Sequence, residues 1–508
     1  MPAFESESGP VHDSSLMPQH QRPIFVDLDG TLIASDSLWD SVAIAFRIAP
    51  LAALGHLLCG LWAAVTKGST GKASLKERFA THFPVDPQEL PLRDEIVAFL
   101  LEQKKAGRSI VLASAANHRI VKAVAGRLAL FDATIGSSAT TNCKGQEKLN
   151  AIQAHLAATG KGGHEFAYVG NARADHHIWD AAAEVLVVSN SGFCEEVKQR
   201  HRPKPVHCFD DHAKPMSALL RLLRPHQWAK NALLFIPVLA SHNLQLATWM
   251  QALIGAIAFS LIASATYVIN DLLDIQADRL HPRKRARPLA SGAIGLPTAL
   301  FTAALLAAVG LTLAAALSTP FLVAILVYVA TTLLYSLWLK RQSIIDVIVL
   351  AGLYTLRVLA GGLAAGIAVS NWLLALSIFL FLSLALIKRC AELLDAKETG
   401  KLKAAGRGYH IEDIATLRSI GITSGFIAVL VLALYIDRPQ VAALYAHPTV
   451  LWLTLPIVAG WLMRLWIETA RGNMHDDPLV YAFEDRVSQM VGVGLAVVAL
   501  VASGKWLI

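Results

Sequence analysis

"LIASATYVINDLLDIQAD", residues 261–278, begins as an apolar helix and ends in acid. Such a run belongs in a hydrocarbon layer, where ionisable groups are costly and face a bundle interior or a cavity rather than lipid. Asn270, Asp271, Asp274 and Asp278 nevertheless close it. The aspartates are spaced three and four apart, so on a helix they share one face. Carboxylates that close repel one another unless a cation holds them. A hard divalent ion such as Mg2+ takes carboxylate oxygens together with phosphate oxygens. The trio is therefore expected to ligate Mg2+ and serve catalysis, gripping a diphosphate with Asn270 beside it.

The surrounding composition agrees with a membrane setting. Of 508 residues, 54% are apolar and only 16% charged, against about 45–50% and about 25% in soluble domains. The excess begins near Pro225, while residues 1–215 carry an ordinary soluble mixture. A span needs roughly 20 apolar residues. About nine stretches qualify: 230–246, 249–270, 296–317, 320–338, 343–366, 371–388, 417–436, 449–469 and 487–507. Their connectors sort by charge, and the basic set, including "RLHPRKRARP" and "KRCAELLDAKETGKLKAAGRGYHIED", is cytoplasmic by the positive-inside rule. That places the amino-terminal half inside and the carboxyl terminus outside. The first 21 residues are polar, read as a disordered tail and lack a signal-peptide core. Five scattered cysteines form no CxxC pair, so reduced thiols are expected, with neither a disulfide framework nor a zinc site. The net charge of +7 suits anionic lipid and phosphate partners. Nothing calls for nucleic acid, and a homo-oligomer stays open.

Directly after the acids come Arg279, Arg283, Lys284, Arg285 and Arg287. A basic run after a span is ordinarily topological; beside an acidic clamp it is expected to cradle phosphate. With "NDLLDIQAD" at a cytoplasmic helix end, residues 218–508 resemble the UbiA-type intramembrane prenyltransferase superfamily. The words "LRPHQWAKN" (223–231) and "DRLHPRKRARPLASG" (278–292) are similar to its polyprenyl-phosphate phosphoribosyltransferase branch. The resemblance implies that 5-phosphoribosyl 1-diphosphate and a polyprenyl phosphate are the substrates and Mg2+ the cofactor. Lys230 and a second patch, Tyr335, Lys340, Asp346 and Arg357, would meet phosphate, Asp346 as a lone second-site metal ligand. Asp346 and Arg357 are eleven residues apart, so they share a helix face, with Arg357 about 16 Å deeper. Lys388 and Arg389, near Glu392, extend the phosphate-binding set. In "RGNMHDDPLVYAFEDR", Arg471, Asp476, Asp477 and Asp485 read equally as helix caps or as site residues. A polyprenyl phosphate is already an anion, so its attack on the sugar carbon needs no general base.

In the soluble half, "RPIFVDLDGTLIASDS" (22–37) is an apolar strand running into Asp27, Asp29 and Thr31, with Gly30 permitting a tight turn. "IVLASAANHRI" (110–120) ends a strand at Ser114. "NCKGQEKLNAI" (142–152) offers Lys148, or alternatively Lys144, and "FAYVGNARAD" (166–175) offers Asn171 and Asp175. These words, in order, resemble the four motifs of the haloacid dehalogenase (HAD) superfamily over residues 22–200. The resemblance implies Asp27 as nucleophile, Asp29 as general acid/base, and Thr31, Ser114 and Lys148 as phosphate-binding. It also implies Mg2+ on Asp27, Asp29, Asn171 and Asp175. The fourth motif ordinarily begins Gly-Asp; Gly170-Asn171 removes a charge and weakens the expected metal site. "IAFRIAPLAALGHLLCGLWAAV" (44–65), with Pro50 and Gly55 as breaks, is expected to be a helical cap packed on the core or resting on the membrane.

The expected architecture is an α/β Rossmann-like HAD domain (22–200, cap about 38–95), a linker (201–220) and an all-α polytopic membrane domain (221–508). The expected protein sits in a bacterial inner membrane with its HAD domain cytoplasmic. It transfers 5-phosphoribose to a polyprenyl phosphate, and its HAD domain then removes the 5-phosphate. The alternative is prenyl transfer from a polyprenyl diphosphate, with the HAD domain a non-catalytic or regulatory module.

Overall fold

Ile24, Phe25 and Val26 have no solvent exposure and form the innermost strand of a six-stranded sheet. The computed structural model describes residues 22–160, 165–210, 215–398, 407–474 and 477–504. They sort into two compact units: the residues up to Leu222 together with Asp271–Ala299, and Leu223–Asn270 together with Leu300 onward. Residues 271–299, within the membrane domain expected from residue 221, group by contact with the first unit.

In the first unit, elements alternate as β1 (Ile24–Val26), α1 (Ser37–Ile48), α2 (Pro50–His82), α3 (Asp94–Lys105), β2 (Ile110–Asn117), α4 (His118–Leu128), β3 (Ala133–Ser137), α5 (Gln146–Ala158), β4 (Ala167–Gly170), α6 (His176–Ala181), β5 (Glu184–Ser189), α7 (Ser191–Arg200) and β6 (Val206–Asp210). All pairings are parallel and the strand order is β3-β2-β1-β4-β5-β6. Parallel strands covered on both faces read as continuous apolar runs, and "IFV" is one. The order reverses at β1, and ligands in such sheets bind in the crevice at the carboxyl ends of the strands flanking that reversal. Asp27 follows β1 and Asn171 follows β4.

The cap differs in detail from expectation. Pro50 opens α2 and Gly55 continues it; Pro is well placed at a first helical position, where its missing N–H costs nothing. The break falls at Gly68, whose φ of 57° and ψ of −124° are not helical. There α2 turns back on itself. A Cβ on Gly60 would lie 2.1 Å from Leu75 Cδ1, one on Gly71 would lie 1.9 Å from the Ala63 carbonyl oxygen, and the His56 ring meets that of His82 at 4.8 Å. The expectation of five reduced thiols is corrected at one pair: Cys194 on α7 and Cys208 on β6 form a disulfide. The strand after α7 returns beside it, bringing together two residues 14 apart.

Among the described residues nine helices are long and apolar enough to cross a membrane. One is α2, which the Gly68 turn makes a hairpin. The others follow α8 (Pro215–Leu223) and the short α9 (Ile236–Ala240). They are α10 (Leu246–Leu273), α12 (Leu296–Leu317), α13 (Thr319–Leu337), α14 (Ile345–Ala365), α15 (Asn371–Glu398), α16 (Ile414–Ile436), α18 (Thr454–Ala470) and α20 (Arg486–Ser503), with α11 (Ile275–Leu280), α17 (Pro439–Ala442) and α19 (Pro478–Glu484) between them. The span expected at 230–246 is not a long helix. Residues Pro225–Phe235 wind as tight 3-10 turns before α9, because Lys230 and Asn231 point into polar partners that a lipid-facing helix would deny them.

Candidate active sites

At the carboxyl end of β1, Asp27 takes the Leu28 N–H on Oδ1 at 2.8 Å and meets Lys148 Nζ at 3.0 Å through Oδ2. Lys148 projects from α5 and is 3% exposed, while Lys144 is exposed; geometry therefore selects Lys148. Burial alone would lower its ammonium pKa, but Asp27 and Asp175 raise it above the usual lysine value. Lys148 Nζ also donates to the Tyr168 hydroxyl at 2.8 Å, which donates in turn to Asp175 Oδ1 at 3.0 Å. Tyr168 was absent from the sequence reading. A buried tyrosine hydroxyl needs a partner, and that was the available signal.

Asp29 accepts from the Ser37 N–H at 2.9 Å and the Ser37 hydroxyl at 3.2 Å. Burial pushes its pKa well above the free value, with Asp36 adding repulsion, so it tends to carry the proton a general acid needs. Asp175 Oδ2 is bound by the N–H groups of Asn171 and Ala172, at 3.2 and 3.0 Å. Asp27, Asp29 and Asp175 thus each meet hydrogen-bond donors, and Asn171 completes the set expected to hold Mg2+. Asn171 lies against Gly30, where a Cβ would fall 2.1 Å from Asn171 Nδ2. Thr31 is buried with its hydroxyl unpartnered among the described residues, and Ser114 is buried on β2, its hydroxyl accepting the Ala116 N–H at 3.2 Å. A further cation comes from the cap: Lys76 on α2 donates to the Ala115 carbonyl at 2.6 Å and Asn142 Oδ1 at 2.8 Å. The neighbouring carboxylates of Asp29 and Asp36 act on it electrostatically.

The acidic trio also lies in the first unit. Asp274 falls at the break between α10 and α11. Arg287 Nη1 bridges Asp271 Oδ1 at 3.2 Å and Asp278 Oδ2 at 2.5 Å. Burial raises the pKa of Asp278 although Arg287 opposes the rise. Among the described residues no three His, Cys, Asp or Glu side chains converge at metal-ligand spacing, so Mg2+ would draw the trio inward. The donor set fits such an ion: carboxylate oxygens, plus Asn270 Oδ1, which is buried with no hydrogen-bond partner among the described residues. Arg283, Lys284 and Arg285 are exposed. Arg279 is not part of the cradle expected of it; Nη2 donates to Asp40 Oδ1 of α1 at 2.9 Å and Nε to the Ala290 carbonyl at 3.1 Å.

The second unit holds two polar clusters. In one, Asp477 caps α19 and accepts from Lys230 at 2.8 Å, Lys388 at 3.0 Å and the Tyr354 hydroxyl at 2.9 Å. Burial would raise its pKa, but Lys388 and Lys230 hold it far below the carboxylate range. Asp477 is therefore both a cap and a cluster centre. Arg357, 5% exposed, gives its bonds to the neutral oxygens of Asn231, Leu353 and Tyr328 and lies over the rings of Phe259, Tyr328 and Tyr354 at 5.1 to 5.5 Å. In the other, Asp346, fully buried, accepts from Arg389 Nε at 2.5 Å and Nη2 at 3.1 Å, from the Tyr335 hydroxyl at 2.7 Å and from Arg407 at 3.4 Å. At Asp346, the residue expected to hold a second metal, a bidentate arginine meets both oxygens. Arg389, expected to bind phosphate, is also bound to Glu392 and is 1% exposed. Arg407 escaped the sequence reading. Lys340 is half-buried. Asp485 caps α20 and pairs with Arg464, and Arg471 pairs on the surface with Glu468. Asp476 lies outside the described residues.

The chain matches the UbiA prenyltransferase family over residues 232–484 and the haloacid dehalogenase-like hydrolase family over residues 24–179. It is 35% identical over 477 residues to the uncharacterized protein y4nM of Sinorhizobium fredii, covering 93% of this chain and 90% of that one. It is 36% identical to nodulation protein NoeC of Azorhizobium caulinodans, over 56% of this chain and 92% of NoeC. To the decaprenyl-phosphate phosphoribosyltransferase of Mycobacterium tuberculosis it is 30% identical, over 55% of this chain and 92% of the relative.

Proposed function

The chain belongs to the UbiA prenyltransferase family and carries a haloacid dehalogenase-like hydrolase domain in its amino-terminal half, a multi-pass membrane enzyme on which we propose two successive reactions. The first transfers 5-phosphoribose from 5-phosphoribosyl 1-diphosphate to a polyprenyl phosphate, releasing diphosphate. The second removes the 5-phosphate to leave polyprenylphosphoryl ribose. The observation that carries the reading is the buried cation Arg357, whose hydrogen-bond partners among the described residues are neutral oxygens and which lies in the unit that also gathers Lys230 and Lys388. A buried cation so placed favours an anion in its vicinity, and both substrates of the first reaction are phosphate anions. The name of the M. tuberculosis relative supports the same substrates.

In the transferase step, Asp271, Asp274, Asp278 and Asn270 would hold Mg2+, which when bound neutralises the departing diphosphate. The exposed Arg283, Lys284 and Arg285 meet its remaining charge. The lipid phosphate, already ionised, attacks the sugar carbon without a general base. In the phosphatase step, Asp27 attacks the 5-phosphoryl group and forms an aspartyl-phosphate. Asp29 gives its proton to the leaving ribose oxygen, then takes one from the water that hydrolyses the intermediate. Lys148 and the Thr31 and Ser114 hydroxyls bind the phosphoryl oxygens. Prenyl transfer would instead leave an aromatic pocket open for a carbocation, and here the Arg357 guanidinium already lies over those rings.

Membranes containing the chain, given ribose-labelled 5-phosphoribosyl 1-diphosphate and decaprenyl phosphate, are expected to yield labelled lipid. Replacing Asp271 and Asp278 by asparagine should abolish it. No labelled lipid from the unaltered chain would overturn the first reaction.

A further inference from the structure

From Arg47 to Lys67 the chain carries no Asp, Glu, Lys or Arg between the two, yet the helix it forms is the outer arm of the α2 hairpin. Six large apolar side chains there face out: Leu51 is 87% exposed, Leu54 45%, Leu58 58%, Leu61 49%, Trp62 73% and Val65 82%, with Ile48 at the end of α1 69% exposed just before them. Their spacing of three and four residues makes one continuous face along the helix. A soluble domain rarely leaves so large an apolar patch in water. The helix cannot cross a bilayer either, because both of its ends return to the α/β core. At one end α1 is buried along Val42–Ala45; at the other, beyond Gly68, the inner arm buries Leu75, Phe79 and Ala80. A helix apolar on one face and tied to a soluble domain at both ends lies in the plane of the membrane interface. Cations sit where headgroups would: Lys67 and Lys72, both exposed, flank the Gly68 turn.

We infer that the outer arm of this hairpin inserts into the lipid surface, so that the phosphatase acts on phosphate monoesters presented by lipid rather than on soluble ones. The inner arm supplies the link to chemistry. Lys76 projects from it to Asn142 and the Ala115 carbonyl, beside Asp29. One hairpin therefore touches lipid with one arm and forms part of the phosphatase site with the other. Substrate class follows: a phosphate whose alcohol is anchored in the bilayer is held within reach of Asp27, whereas a free sugar phosphate gains nothing from the stripe. The substrate inference rests on the phosphatase reading above; the insertion does not.

Two measurements on the full chain separate the cases. Cys59 is exposed on the outer arm, Cys143 and Cys390 are buried, and Cys194 and Cys208 are paired, so a thiol-reactive fluorophore reports from Cys59. In bilayers of phosphatidylethanolamine and phosphatidylglycerol, lipids brominated on their acyl chains should quench the label and aqueous iodide should not. Quenching by iodide alone, or by neither, would overturn the insertion, the latter outcome meaning that protein covers the arm. In the double variant Leu58→Glu/Trp62→Glu, dephosphorylation of the lipid-linked product should fall about tenfold while hydrolysis of a small soluble phosphate ester is unchanged. Equal loss on both substrates, or on neither, would overturn the substrate inference. If the unaltered chain hydrolyses no phosphate ester at all, the phosphatase reading and the substrate class fail together, and the quenching result stands by itself.

Discussion

The Arg279 guanidinium donates to Asp40 Oδ1 at 2.9 Å, and the two side chains are 5% and 1% exposed. The pair ties the segment that carries the acidic trio to the first helix of the hydrolase core, with the Ser35 hydroxyl completing Asp40 at 2.7 Å and Gly292 lying so close to Ala34 that a Cβ would meet its carbonyl carbon at 2.7 Å. Breaking a buried ion pair by removing one partner costs about 3–5 kcal/mol, whereas replacing both by apolar side chains is often neutral. Arg279→Met is therefore expected to destabilise the chain by that amount, and Asp40→Leu/Arg279→Met to recover most of it. Thermal unfolding in detergent checks this. A double variant as unstable as the single would show that Arg279 does more than pair with Asp40.

Tyr168→Phe removes the hydroxyl between Lys148 and Asp175 and leaves a buried donor and acceptor unmet. The expected cost is about 1–3 kcal/mol of stability. Phosphatase turnover should fall more than transferase turnover, because only the phosphatase site contains the tyrosine. Equal loss of both activities would point to general unfolding instead.

Asn171→Asp adds a carboxylate next to Asp27. Phosphatase activity titrated with Mg2+ should reach half-maximum at a concentration roughly tenfold lower, about 1.4 kcal/mol of added metal binding. An unchanged midpoint would remove Asn171 from the metal site.

His176 Nδ1 and His201 Nε2 lie 3.0 Å apart, both nearly buried. Burial lowers both pKa values below the ordinary 6.5; Arg200 adds to the effect at His176, while Asp180 partly opposes it at His201. A histidine with a depressed folded-state pKa contributes stability that is complete above the unfolded value and lost as pH falls below it. Heat resistance of the phosphatase should therefore drop as pH is lowered through 6.5, and His201→Gln should flatten that dependence. A midpoint independent of pH in this range would contradict it.

Much of the soluble unit was legible because its chemistry lies in short local words: a strand, its terminal acids and a glycine turn need no distant partner to be recognised. Asp27 and Asn171 come together because they follow β1 and β4, adjacent strands at which the sheet order reverses. What stayed hidden depends on long-range pairing. Arg279 and Asp40 are 239 residues apart, and nothing in "DRLHPRKRARP" distinguishes the arginine that docks from those that stay in solvent. Asp346 and Arg389 show the same limit: they are 43 residues apart, and nothing local to either announces the pair. The stretch 230–246 misled for another reason. Its mean composition suits a span, but Lys230 and Asn231 take buried polar partners that force tight turns.

The central claim is that one chain both attaches a phosphorylated sugar to lipid and strips its phosphate. It is tested most directly with 5-phosphoribosyl 1-diphosphate labelled separately in the ribose and in the 5-phosphate. Lipid made by the unaltered chain should retain the ribose label and lose the phosphate label, and lipid made by Asp27→Asn should retain both. Identical lipid from the two proteins, or lipid carrying neither label, would contradict the account.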